Sequence, residues 1–203
     1  VRLMHRQNAL LRELSLGDFR ALLRALAKDP AMLVWLDGSE NRRGHPNENF
    51  AREVLELFAL GIGNYGEKDI QEAARAFTGW GSEGREFVVR NDHHDGGTKT
   101  IFGKRGDFDG EQAIELILAH PACPRHVARR LLREVVSIEV DGGVVRALAR
   151  EFVAANWSIA RTVELLLRSK LFFSREARRA RIAAPVELVA GSLVDVTKTY
   201  NGR

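Results

Sequence analysis

Asn47-Glu48-Asn49-Phe50-Ala51-Arg52-Glu53-Val54-Leu55-Glu56-Leu57-Phe58-Ala59-Leu60-Gly61 is the stretch on which the fold reading turns. Its apolar and charged residues separate at helical spacing. Phe50, Val54, Leu57 and Phe58 fall on one face, and Asn49, Arg52, Glu53 and Glu56 on the other. Asn47 is placed to cap the first turn, where a short side-chain oxygen accepts the free N–H groups. Gly61 and Gly63 close the element, because glycine takes the left-handed conformation that ends a helix. The spacing predicts a helix over about 48–60.

Both flanks are helical too. Residues 67–78 carry Ile70, Ala73, Ala74 and Phe77 at i, i+3, i+4 and i+7. On the other side, residues 37–47 are polar or turn-forming and read as a loop. Pro30 opens a short helix at about 31–36, since proline fits a first turn. Residues 9–28 place Leu11, Leu14, Leu22, Leu23 and Leu26 at helical spacing. The pattern changes over 79–107, which is rich in glycine and holds two β-like runs, Glu86–Arg90 and Thr98–Gly103. Helices return at about 109–119, 122–136, 142–155, 158–172 and 185–198, with Asp109 and Ser158 as N-caps. Pro121, Pro124 and Pro185 stand at helix starts. The fold class is mainly α: a multi-helical, bundle-like domain with a small β-hairpin insert. The parts are residues 1–80, the insert 81–107, and 108–203, read together as one domain without internal repeats.

A chain of 203 residues that is 45% hydrophobic and 29% charged fits a soluble globular protein. No apolar run has transmembrane length. Val1 opens directly into polar, helical sequence with no signal peptide, and the lack of an initiating Met reads as a trimmed or partial chain. The net charge of +4 admits an anionic partner. Only six of the 31 basic residues are Lys, however, and many Arg residues adjoin acids, as in Arg52/Glu53 and Arg150/Glu151. No nucleic-acid motif accompanies the charge, so nucleic-acid binding is the weakest functional reading. The single Cys123 excludes an internal disulfide and a cysteine-rich zinc site, and reads as a small core residue.

Three groups invite chemistry. Glu53 and Glu56 beside Arg52 can hold a metal or transfer protons. The simpler reading is an Arg52–Glu56 ion pair on a solvated helix face. In loop 37–48, Asp37, Ser39, Asn41, Arg43 and Glu48 occupy positions one, three, five, seven and twelve of an EF-hand loop, which suggests calcium or another divalent metal. Against it, Arg42 stands at position six, where the turn needs glycine, and Arg42 and Arg43 repel a cation. A plain helix connector capped by Asn47 is the favoured alternative. The insert carries Asp92-His93-His94-Asp95. In extended chain His93 and His94 point to opposite sides, so His94 with Asp95 is the better ligand or acid–base pair. Thr98-Lys99-Thr100 lacks the glycine spacing of a phosphate loop. His120 reads as a turn residue, and His126, among Arg125, Arg129 and Arg130, as surface. Trp35, Trp80 and Trp157 read as core, and Arg178, Arg179 and Arg181 as a solvated basic helix end.

The ordered signature from Asp29 to Trp80 resembles that of the bacterial family called domain of unknown function 1800. It comprises Asn41-Arg42-Arg43-Gly44-His45-Pro46-Asn47-Glu48-Asn49, Ala51-Arg52-Glu53, Glu56-Leu57-Phe58, Leu60-Gly61 and Ala74-Arg75-Ala76-Phe77-Thr78-Gly79-Trp80. His94-Asp95, Lys99-Thr100, Gly103, His120-Pro121-Ala122 and Pro185-Val186-Glu187 extend the resemblance over nearly the whole chain. It implies an exported protein, periplasmic or extracellular, with a sulfatase-like protein encoded nearby as a partner, and it carries no assigned activity. The chain departs from the pattern at Gly66, where a Thr cap is usual, and at Ala183-Ala184, where Lys-Ser is usual. A Trp-His-Asn-His-Phe-type segment upstream and a Gly/Pro/Trp-rich segment downstream are missing. Two functions compete. One is a metal-dependent, hydrolase-like enzyme combining Asp37, Glu48, Glu53 or Glu56 with His94 and Asp95, which requires the polar helix face and the insert to meet in one cleft. The other is a non-catalytic binding or assembly module of the cell envelope.

Overall fold

Gly17 and Asp18 interrupt the leucine-rich run, so residues 9–28 contribute to two helices rather than one. α1 spans Arg2–Leu14 and α2 spans Phe19–Ala27. Asp18 is extended, and its carboxylate accepts the Arg20 N–H at 2.8 Å, which restarts the helix. The computed structural model describes residues 2–136, 141–178, 185–187 and 189–192. α3 (Pro30–Trp35) follows, capped by Asp29. α4 (Glu48–Glu53) begins at the Asn47 cap, whose side chain accepts the Asn49 N–H. α5 is Glu67–Ala76, α6 Gly110–Leu118, α7 Ala122–Val135, α8 Gly142–Ala154 and α9 Ile159–Arg168. Asp109 and Ser158 cap α6 and α9. Residues 185–187 and 189–192 are helical. Arg179, Arg181, Ala183, Ala184 and the last residues of the expected 185–198 helix lie outside the described residues.

The stretch 54–60 departs from the α-helical reading: Val54–Leu60 is π-helical and continues α4. The Gly61 N–H donates to the Glu56 carbonyl, five residues back. The wider turn changes which side chains face inward. Val54 and Ala59, and Leu55 and Leu60, are buried pairs five apart. Leu57, expected inside, is 49% exposed. Gly61, at φ 78, ends the segment.

The insert holds two hairpins. β1 (Trp80–Glu83) pairs with β2 (Glu86–Val89), and β3 (Lys99–Ile101) with β4 (Lys104–Gly106), all antiparallel. The two β-like runs therefore each pair with a neighbouring segment rather than with each other. Carboxylates of α5 complete β3: Glu72 accepts the Thr100 N–H at 2.7 Å and Asp69 accepts the Phe102 N–H at 2.8 Å. The fold is mainly α with small antiparallel hairpins.

The largest core cluster draws Leu23, Leu33, Phe50, Leu55, Phe77, Trp80, Ile101, Ile114 and Cys123 together. A second joins α7, α8 and α9 through Leu132, Leu148 and Leu166. The chain's two halves are tied where Phe19 N–H donates to the Trp157 carbonyl and Ile159 N–H to that of Gly17. Trp80 is buried, but Trp35 is 80% exposed, against the core reading, because it ends α3 on the solvent side. Among the described residues no helix is long and apolar enough to cross a membrane.

Candidate functional site

Loop 37–48 is built around Asn41, which is 2% exposed. Its amide donates to the Ala74 carbonyl at 2.8 Å, and its side-chain oxygen accepts the Asn47 N–H at 2.9 Å. Its backbone carbonyl accepts the Gly79 N–H. The oxygen proposed as a cation ligand is thus aimed at a backbone donor. Asp37 sits in the left-handed region at φ 54, and its carbonyl accepts from the Asn47 amide at 3.3 Å. Ser39 lies in the short 3₁₀ turn Gly38–Glu40. Glu48 pairs with Arg52 at 3.0 Å.

Arg52 does not pair with Glu56. It binds Glu48 and Glu67, and those contacts push its guanidinium further above its ordinary range. Glu56 instead accepts the Tyr65 hydroxyl at 2.7 Å. Burial, then the bond to Glu56, pushes the Tyr65 hydroxyl up to about 12. Glu53 has no hydrogen bond or ion pair among the described residues. Asp95 accepts a two-point bond from Arg75 at 2.8 and 3.2 Å, and Arg75 also binds Glu72. The Arg75 bond outweighs desolvation and holds the Asp95 carboxyl below its usual range. The His94 Nδ1–H donates to the Thr78 carbonyl at 3.0 Å. His93 ends a 3₁₀ turn, Asn91–His93, rather than an extended run, and its carbonyl accepts the Arg43 N–H.

Of the residues in the enzyme reading, His94 and Glu56 line different clefts, while Asp37, Glu48, Glu53 and Asp95 line neither. His94 borders one of about 430 Å³ with Asn91, Asp107, Asp109 and Glu111. Its acids are engaged: Asp107 with buried Lys99, Asp109 as the α6 cap, Glu111 with Lys28. Glu56 borders the other cleft, of about 660 Å³, between the π-helical segment, α7 and the start of α8. Among the described residues no three His, Cys, Asp or Glu converge as metal ligands.

The larger cleft is basic. Arg125, Arg129, Arg130 and Arg133 of α7 and Arg146 of α8 line it, and Glu56 is the sole carboxylate among its described lining residues. None of these five guanidiniums has a hydrogen bond or ion pair among the described residues. Arg6, Arg20, Arg24, Arg52, Arg75, Arg90 and Arg168 each pair with a carboxylate, while Arg42, Arg43, Arg105, Arg150 and Arg161 share the unpaired state without lining the cleft. Leu57 and Ile62 supply apolar surface at its edge, 49% and 80% exposed. His126 is part-buried rather than surface. Its Nε2–H donates to the Leu57 carbonyl at 3.0 Å, fixing α7 against the π-helical wall. Burial, with the Arg130 and Arg129 charges, holds its pKa below the ordinary histidine value. A Cβ on Gly61 would meet His126 Nδ1 at 2.7 Å, so glycine admits the ring. Sequence reasoning missed this cleft. Its signal was the run Arg125, Arg129, Arg133 with no acid three or four residues away.

No curated protein and no solved structure matches the chain. The family model described as Protein of unknown function (DUF1800) matches residues 1–201. Spanning almost all of its 203 residues, that match shows that the chain belongs to the DUF1800 family.

Proposed function

We propose that this protein is a non-catalytic binding module that grips an anionic partner in the cleft between the π-helical segment, α7 and α8. The observation that carries the reading is the set of five arginines, unpaired among the described residues, around one concavity whose described lining holds a single carboxylate, itself bonded to Tyr65. Arginine clusters of this kind recognise carboxylate and phosphate groups through their planar donor forks. Like charges held together without partners cost stability, and an anion relieves that cost. Action in the cell envelope, beside a sulfatase-like neighbour, stays the expectation carried by the family resemblance.

The test is calorimetric titration with tripolyphosphate at low and moderate salt, comparing three proteins. The cleft variant is Arg129→Glu/Arg133→Glu. The charge-matched control is Arg42→Glu/Arg43→Glu, on the exposed tip of the signature loop. The reading expects binding that weakens with salt, with about a tenfold or greater loss in the cleft variant and less than about threefold in the control. Equal losses would reduce the effect to net charge, and absence of binding would remove the proposal.

A further inference from the structure

We infer that the cleft's occupant is an extended acidic peptide with acidic residues at alternate positions; this rests on the anion-binding reading above. Arg125, Arg129 and Arg133 stand four residues apart on one helix, so cationic heads recur about every 6 Å along it. An extended peptide advances about 6.6 Å for every second residue and sends those side chains to one side. The two repeats match within the reach of a flexible arginine stem. A strand laid along α7 sets its acids against this row, with Arg130 and Arg146 adding charge. Its intervening side chains then meet the apolar wall, where Leu57 and Ile62 are exposed and Leu60 is buried beneath. The hydrogen bond from His126 to Leu57 fixes the spacing of the two walls before anything binds.

Single-stranded nucleic acid is the competing occupant, since its phosphates also repeat along a chain. Its bases require aromatic platforms, and no Phe, Tyr or Trp is among the described lining residues; the one imidazole, His126, is part-buried and held by the Leu57 carbonyl. The N-terminus of α8 offers it few donors, because Asp141 already accepts the Gly143 and Val144 N–H groups with its side chain and the Val145 N–H with its carbonyl.

The experiment is fluorescence anisotropy of the full chain with three labelled probes: a peptide alternating Glu with Val, a peptide of the same composition with its Glu residues contiguous, and an oligothymidylate of equal charge. The alternating peptide is expected to bind at least about fivefold more tightly than either other probe, and to lose about tenfold or more with Arg129→Glu/Arg133→Glu. Ile62→Ser is expected to weaken the alternating peptide alone. Both variants alter exposed side chains, and unchanged thermal melts confirm that they fold. Equal binding of the contiguous peptide, or equal or tighter cleft-dependent binding of the oligothymidylate, overturns the peptide assignment and leaves the anion cleft standing. Failure of all three probes, or indifference to the arginine reversals, overturns both.

Discussion

Replacement of Asn41 separates a structural hub from a cation site. Asn41→Ala leaves the Ala74 carbonyl without its 2.8 Å partner and the Asn47 N–H without its 2.9 Å acceptor. An unsatisfied buried group costs about 1–3 kcal/mol. The Ala74 carbonyl bond is buried and the Asn47 bond partly so, which gives about 3 kcal/mol in total. For a chain of this size that is a fall of about 6–12 °C in Tm. Asn41→Asp retains an acceptor for Asn47 but points a carboxylate oxygen at the Ala74 carbonyl in a site 2% exposed, so it is expected to cost at least as much. An aspartate at this position would improve a calcium loop. Melts followed by circular dichroism, with and without millimolar calcium, therefore separate the readings. Both variants are expected to be destabilised, with no recovery in calcium. Wild-type stability for either variant, or calcium rescue of Asn41→Asp, would refute the hub reasoning and restore loop 37–48 as a metal site.

Gly61→Ala is expected to cost about 2 kcal/mol or more, from the φ of 78 and the approach of His126, and less in a His126→Ala background, as a double-mutant cycle of chemical melts would read. His126 has its pKa depressed by burial, with Arg129 and Arg130 adding repulsion and Arg125 and Glu56 lining the same cleft. The unfolded chain binds that proton more readily, so stability is expected to fall as pH drops through about 6.5, and His126→Gln to flatten that part of the profile. Asp95 has its pKa lowered chiefly by Arg75, so its contribution is present above the ordinary carboxylate value of about 3.9 and is lost as pH falls below it. Arg75→Ala is expected to remove that acid-labile portion, as acid titration of the two proteins would show. Trp35→Ala should leave Tm within about 1 °C, while Trp80→Ala, which removes a ring packed on Phe50, Phe77 and Phe87, should cost about 3–5 kcal/mol.

The helices were legible where apolar residues repeat at 3.6, as at Ile70, Ala73, Ala74 and Phe77, all buried. The caps Asn47, Asp109 and Ser158 were legible because their chemistry is local. The π-helical segment was not. Val54 is buried under either period, and only Leu57, Ala59 and Leu60 distinguish them, which is too little pattern to detect a widened turn. The signature polar residues were visible, but not their partners: Asn41 reaches Ala74 and Arg75 reaches Asp95, contacts between distant segments that spacing cannot reveal. The basic cleft was hidden for the same reason, since Arg146 joins the α7 row only through helix packing.

The most direct test of the anionic cleft is its location in solution. A chain of 22.7 kDa is accessible to nitrogen-15 NMR, including arginine side-chain N–H signals. Titration with tripolyphosphate is expected to shift the Arg125, Arg129, Arg133 and Arg146 side-chain signals, together with backbone amides of α7, the start of α8 and residues 57–62. Shifts centred on Arg42 and Arg43, or spread evenly over the surface arginines, would contradict the account.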